Sequence, residues 1–151
     1  METNLCLWRS SNTFTPPHLD DPEKISTLSD LPWLCMGDFN EVLRPNEHEG
    51  IGQRSNAQIQ AFRDTIDVCM LLDLGYKGRF WTFQKKVTGG SYTWCRLDRA
   101  LVNVDWMVRL PLASVTHEVA TTSHHAAVLV DWGRTKEGQK VCEFKKDFMT
   151  R

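Results

Sequence analysis

Leu31-Pro32-Trp33-Leu34-Cys35-Met36-Gly37-Asp38-Phe39-Asn40-Glu41 is the stretch on which the fold turns. Its apolar part is short, unbroken and closed by a glycine. That pattern suits a strand buried on both faces better than a helix. Asp38 and Asn40 stand at the end of the strand, where polar side chains can project from a rigid base. Being two residues apart, they can face one pocket, because strand side chains alternate. A carboxylate and a carboxamide so placed suit phosphodiester hydrolysis. The acid can take a proton from an attacking water, and the amide can donate to charge developing on a phosphate oxygen. Read alone, the same pair equally suits an Asx turn closing a strand.

Downstream, residues 44–56 read as a loop, and a helix is expected from Ser55, with Gln58 three positions on completing a capping box. Ile59, Phe62, Ile66, Cys69 and Met70 recur at three- and four-residue steps and form its apolar face. Phe80-Trp81-Thr82-Phe83 and Ser91 to Trp94 read as strands joined by the turn Thr88-Gly89-Gly90-Ser91. Asn103 caps a short helix that stops before Pro111. Val115 to Val119 and Ala126 to Val130 are the last two strands expected.

The chain therefore divides into a poorly structured segment 1–30, a folded part 31–132 and a polar tail from 133 to 151. At 151 residues it has the length of one domain. No apolar run approaches a membrane span, and Met1 to Cys6 lack the basic and apolar regions of a signal peptide. A cytoplasmic or nuclear protein without membrane contact is expected. Five scattered cysteines without a CxxC pair point to reduced thiols rather than disulfides or zinc. Net charge is −1, but residues 77–109 carry seven basic and two acidic side chains. That segment is suited to a phosphate backbone, or is an ordinary solvated face.

Two further sites carry candidate chemistry. Asp98 lies within Arg96-Leu97-Asp98-Arg99, where it either forms a surface ion pair or orients a histidine ring. Ser123-His124-His125 occupies a turn before an apolar strand, a solvated pair or part of a site. His18, His48 and His117 have no partner at metal-ligand spacing.

Taken in order, these segments resemble the endonuclease/exonuclease/phosphatase (DNase I-like) superfamily in the form carried by plant LINE-type retrotransposons. The resemblance rests on Gly37-Asp38-Phe39-Asn40, then Arg96-Leu97-Asp98-Arg99-Ala100-Leu101 with Asn103 and Trp106, then a Ser-x-His before a strand; it spans roughly residues 31–132. It implies an α/β fold, a four-layered α/β sandwich of two packed mixed β-sheets flanked by helices. It also implies a Mg²⁺-dependent phosphodiesterase acting on DNA. Asp38 would align or deprotonate the nucleophilic water and Asn40 would stabilise the transition state. Asp98 would hold the imidazole of His125, and His125 would contact the scissile phosphate.

Two departures from the family pattern follow. The family closes on Ser-Asp-His, whereas this chain reads Ser123-His124-His125, so His124 replaces an acidic metal ligand with an imidazole, a poor ligand for Mg²⁺. The family's N-terminal half, with its metal-binding Glu, has no room before Leu31, so the resemblance implies an incomplete, N-terminally truncated sandwich. Such a chain is expected to be marginally stable, or completed by an upstream segment or a partner. The leading expectation is a degenerate endonuclease domain with little hydrolysis of its own. The alternatives are an active Mg²⁺-dependent nuclease or phosphatase, and a non-catalytic module binding nucleic acid through Lys85, Lys86 and Arg99.

Overall fold

The computed structural model describes residues 4–9, 32–120, 123–135 and 138–144. The fold is mixed α/β, with three small, mostly antiparallel sheets and few helices. The strand expected at Leu34 is β2 (Trp33–Asp38). It is central in the first sheet, between β1 (Asn4–Arg9), which runs parallel to it, and β8 (Asp98–Val102), which is antiparallel. β4 (Leu72–Asp73) completes that sheet beyond β8.

Both faces of β2 are covered, which is why its sequence is apolar without alternation. On one face Leu34 and Met36, with Ala100 and Val102 of β8, pack against Val115, Val128 and Val130. These valines belong to β9 (Ser114–Glu118) and β10 (Ala127–Thr135), so two sheets share one core. The second sheet has the order β11-β10-β9-β5, with β11 spanning Gly138–Phe144 and β5 spanning Lys77–Gly78. On the other face of β2, Cys35 and its cross-strand partner Leu101 meet Phe62, Ile66 and Cys69.

The latter three lie on the apolar stripe of α1 (Asn56–Val68) and its C-cap. The helix starts where Ser55 and Gln58 predict: Ser55 accepts from the Gln58 backbone N–H while the Gln58 side chain accepts from that of Ser55. The second helix, α2 (Val104–Arg109), is capped by Asn103, whose Oδ1 accepts from the Trp106 N–H at 3.1 Å. Trp106 is fully buried in the core between the sheets. Removing its side chain would cost about 3–5 kcal/mol.

A third sheet, of order β3-β7-β6, holds the hairpin that the Thr88–Ser91 turn predicts. β6 is Phe83–Lys86, β7 is Tyr92–Cys95 and β3 is His48–Glu49. The sheet docks on α1 through Cys95, which packs with Ile59, Val42 and Leu97.

Three expectations need correction. Segment 1–30 is not featureless, because residues 4–9 form β1; the remainder of that segment lies outside the described residues. The tail is not wholly irregular either: β10 runs on to Thr135 and β11 follows it. The loop 44–56 contains a 3₁₀ turn at Pro45–Glu47 and the short β3. β1 and β3 are held by partners distant in sequence, β2 and β7, which local composition does not reveal. No helix among the described residues is long and apolar enough to cross a membrane. Cys35, Cys69 and Cys95 are buried, and burial pushes the Cys69 and Cys95 thiols up to about 11.

Candidate functional site

Asp38 ends β2 and Asp98 begins β8, and the antiparallel register sets them directly opposite one another. Both are buried, on the face that looks toward the second sheet. Across from them stands His125, in the segment that enters β10. Its Nδ1 lies 2.8 Å from Asp98 Oδ2. One ligating atom from each of Asp38, Asp98 and His125 falls within 4.8 Å of the others.

The hairpin sheet holds this arrangement from the side. Ala126 N–H donates to the Thr82 carbonyl at 2.7 Å, and Gln84 N–H donates to the His124 carbonyl at 2.9 Å. These bonds extend β6 alongside the Ser-His-His segment and fix the approach of His125. Within that segment, His125 N–H donates to Ser123 Oγ at 2.9 Å. Thr82 Oγ1 accepts from the backbone N–H of both Leu97 and Asp98, at 2.8 and 2.9 Å. Thr82 therefore seats the start of β8 as well as the turn that carries His125. Sequence reading treated it only as a strand former; a hydroxyl inside an aromatic run was the available signal.

Asn40 lies just beyond Asp38 with φ of 54°, a left-handed conformation that Asn tolerates better than most residues. Its N–H donates to Asp38 Oδ1 at 2.8 Å and its carbonyl accepts from Arg54 Nη2 at 3.0 Å. The Asx turn is therefore formed at the end of β2. His124, the fifth candidate, is exposed and lies outside the Asp38–Asp98–His125 group.

Arg96 and Arg99 do not pair with Asp98 on the surface. Both are buried, and Arg99 points to the opposite face of β8. Arg99 bonds Glu47 and, at 2.7 Å, Asp73; Arg96 reaches the same two carboxylates at 3.1 Å. Arg96 also lies over the ring of Tyr76, 4.6 Å from its centroid. Arg99 is thus spent on an internal network and cannot meet a phosphate backbone, unlike Lys85 and Lys86, which are exposed.

The two acids on either face of β8 titrate oppositely. Burial raises the Asp98 carboxyl; the His125 bond works against it, and the negative charge of Asp38 adds to the rise. Burial also opposes ionisation of Asp73, but the Arg99 and Arg96 charges and the Gly75 N–H hold it below the usual range. Asp98 Oδ1 is buried without a hydrogen-bond partner.

The Mg²⁺ ion implied by the resemblance can be tested against these donors. They are two carboxylates and an imidazole, with Asp98 bonded to the ring and Asp38 to the Asn40 N–H. Mg²⁺ demands a near-octahedral shell of oxygens, and imidazole is a ligand for softer ions. Asp38, Asp98 and His125 could together hold a metal ion, and two carboxylates completed by water are a shell that Mg²⁺ accepts, whereas the imidazole favours softer ions. They also provide an imidazole bonded to a buried carboxylate, next to a second carboxylate and an Asx turn. No protein-family model matches this chain, and no curated protein matches it.

Proposed function

We propose that this chain is a degenerate member of the endonuclease/exonuclease/phosphatase superfamily, a nucleic-acid-directed phosphodiesterase domain of the LINE type with little hydrolytic activity. The observation that carries the reading is the Asp98–His125 contact at 2.8 Å, formed directly beside Asp38. Three candidates drawn from separate segments, Asp38, Asp98 and His125, meet where β2 ends and β8 begins, and Asn40 follows two residues after Asp38.

In this reading Asp98 orients His125, whose remaining ring nitrogen contacts a phosphate oxygen or takes a proton from water. Asp38 aligns the water, and Asn40 donates to the phosphate as charge develops. In the family a Mg²⁺ ion would supply further charge stabilisation; here His124 stands in place of an acidic ligand, which weakens that hold and lowers the rate. The matching architecture is the four-layered sandwich. Support comes from the core shared by the two four-stranded sheets and from α1 against the outer face of the first. The fourth layer belongs to the proposal alone.

The test is nicking of supercoiled plasmid by the purified full chain in Mg²⁺, in Mn²⁺ and in EDTA, beside Asp38→Ala and His125→Ala. No nicking above buffer in Mg²⁺ is expected. Rapid Mg²⁺-dependent nicking that Asp38→Ala abolishes would make the chain an active nuclease and overturn the reading of degeneracy.

A further inference from the structure

A cavity of about 230 Å³ opens between the β6–β7 hairpin and the segment that leads to His125. Its walls include Trp81, Phe83, Tyr92 and Trp94, together with Arg79 and Lys86. Lys86, Tyr92, Gln84 and Trp94 project from one face of the hairpin, as their cross-strand pairing requires. The aromatic rings are not sealed in the core: Tyr92 is 42% exposed, and Trp81, Phe83 and Trp94 are half-buried. The Tyr92 and Trp94 rings lie 5.8 Å apart, and Phe83 lies 4.9 Å from the ring of His125.

The electrostatics of this wall have one sign. Among the described residues, no Asp or Glu lines the cavity. Its charged lining residues are Arg79 and Lys86, and from Leu74 to Leu97 the sequence carries not one acidic residue. A merely hydrophobic pocket has no use for that bias. Aromatic faces beside lysine and arginine are what an unstacked base and its phosphate need. The volume lies below the roughly 300–1,000 Å³ of pockets for drug-sized ligands, so it suits one planar ring system. A base paired inside a duplex cannot enter it.

We infer that this cavity is a subsite for one unpaired nucleobase of a single-stranded polynucleotide, stacked on Trp94 and Trp81 with its phosphate directed toward Lys86 and Arg79. The inference rests on the nucleic-acid reading above and specifies its substrate: a strand with an accessible base. His125 forms part of the same wall, so a base seated there brings its backbone next to the Asp98–His125 pair.

The experiment measures binding by the full chain in EDTA, where hydrolysis plays no part. Four labelled ten-mers are compared by anisotropy: oligo-dT, oligo-rU, an abasic ten-mer of equal charge, and a duplex. Oligo-dT is expected to bind at least about fivefold tighter than the abasic strand, the lower end of what one stacked base contributes. Trp94→Ala should erase most of that difference and Trp94→Phe should restore it. Oligo-rU, which also presents unpaired bases, is expected to bind more tightly than the abasic strand as well. Equal binding of oligo-dT and the abasic strand by the wild-type protein overturns the subsite whatever the variants do. Base-dependent binding without nicking supports the subsite even if the phosphodiesterase reading fails; nicking without base dependence does the reverse.

Discussion

His125 Nδ1 and Asp98 Oδ2 lie 2.8 Å apart, both side chains buried, although 27 residues separate them in the chain. Removing the imidazole strands a carboxylate that has no other route to water. His125→Ala is therefore expected to lower stability at pH 7 by roughly 3 kcal/mol, the scale for breaking a buried pair. The deficit should shrink as acid protonates Asp98. Urea unfolding at pH 7 and at pH 4 measures both; an equal deficit at the two values would mean that the contact carries no charge.

Asp73 and Asp98 are expected to give opposite pH dependences. Asp73 titrates below its ordinary value of 3.8, so its contribution is present above that value and lost as pH falls through the depressed one. Asp98 titrates above 3.8, so its contribution is present below that value and lost as pH rises through the raised one. The destabilisation caused by Asp73→Asn should fade on acidification. That caused by Asp98→Asn should fade as pH rises. Parallel curves for the two variants between pH 3 and pH 7 would contradict the assigned environments.

Glu47 lies 52 residues from Arg99, and the two are joined in the network that also holds Arg96 and Asp73. Glu47 Oε2 also accepts the Leu43 N–H at 2.7 Å, tying the loop after Asn40 to β8. Glu47→Ala leaves buried guanidinium groups undercompensated and should cost roughly 3–5 kcal/mol. The Glu47→Ala/Arg99→Ala double variant should cost less than the sum of the singles by more than about 1 kcal/mol. Additivity in chemical denaturation would show that the network is not a unit.

Gly50 has φ of 104°, and a β-carbon there would sit 2.6 Å from the Tyr92 carbonyl oxygen. Gly50→Ala should therefore cost at least about 2 kcal/mol, through strain and displacement of β7. Gly52 shares a positive φ of 80° but has open space around it, so Gly52→Ala should cost only about 1 kcal/mol. Thermal unfolding distinguishes them, and equal losses would leave backbone strain as the whole effect.

What was legible in the sequence was local. The apolar run at Leu34 to Met36 identified a strand covered on both sides, and the Ser55–Gln58 and Asn103–Trp106 spacings marked helix starts, because strand and helix periods and caps depend on near neighbours. Asp38, Asn40, Asp98 and His125 were also chosen from the sequence, but as residue types in a motif order. Which group each would face could not be read there. Composition placed Asp98 among the arginines; the alternation of β8 sent Arg99 to one face, toward Glu47 and Asp73, and Asp98 to the other, toward His125. Strand β1 was missed for the same reason, since it is held by pairing with β2 far along the chain. The cavity beside His125 likewise needed the hairpin and the entry to β10 to be brought side by side. Burial and ion pairing are decided by what the folded chain stacks against a residue, and that information is spread over separations a local pattern does not span.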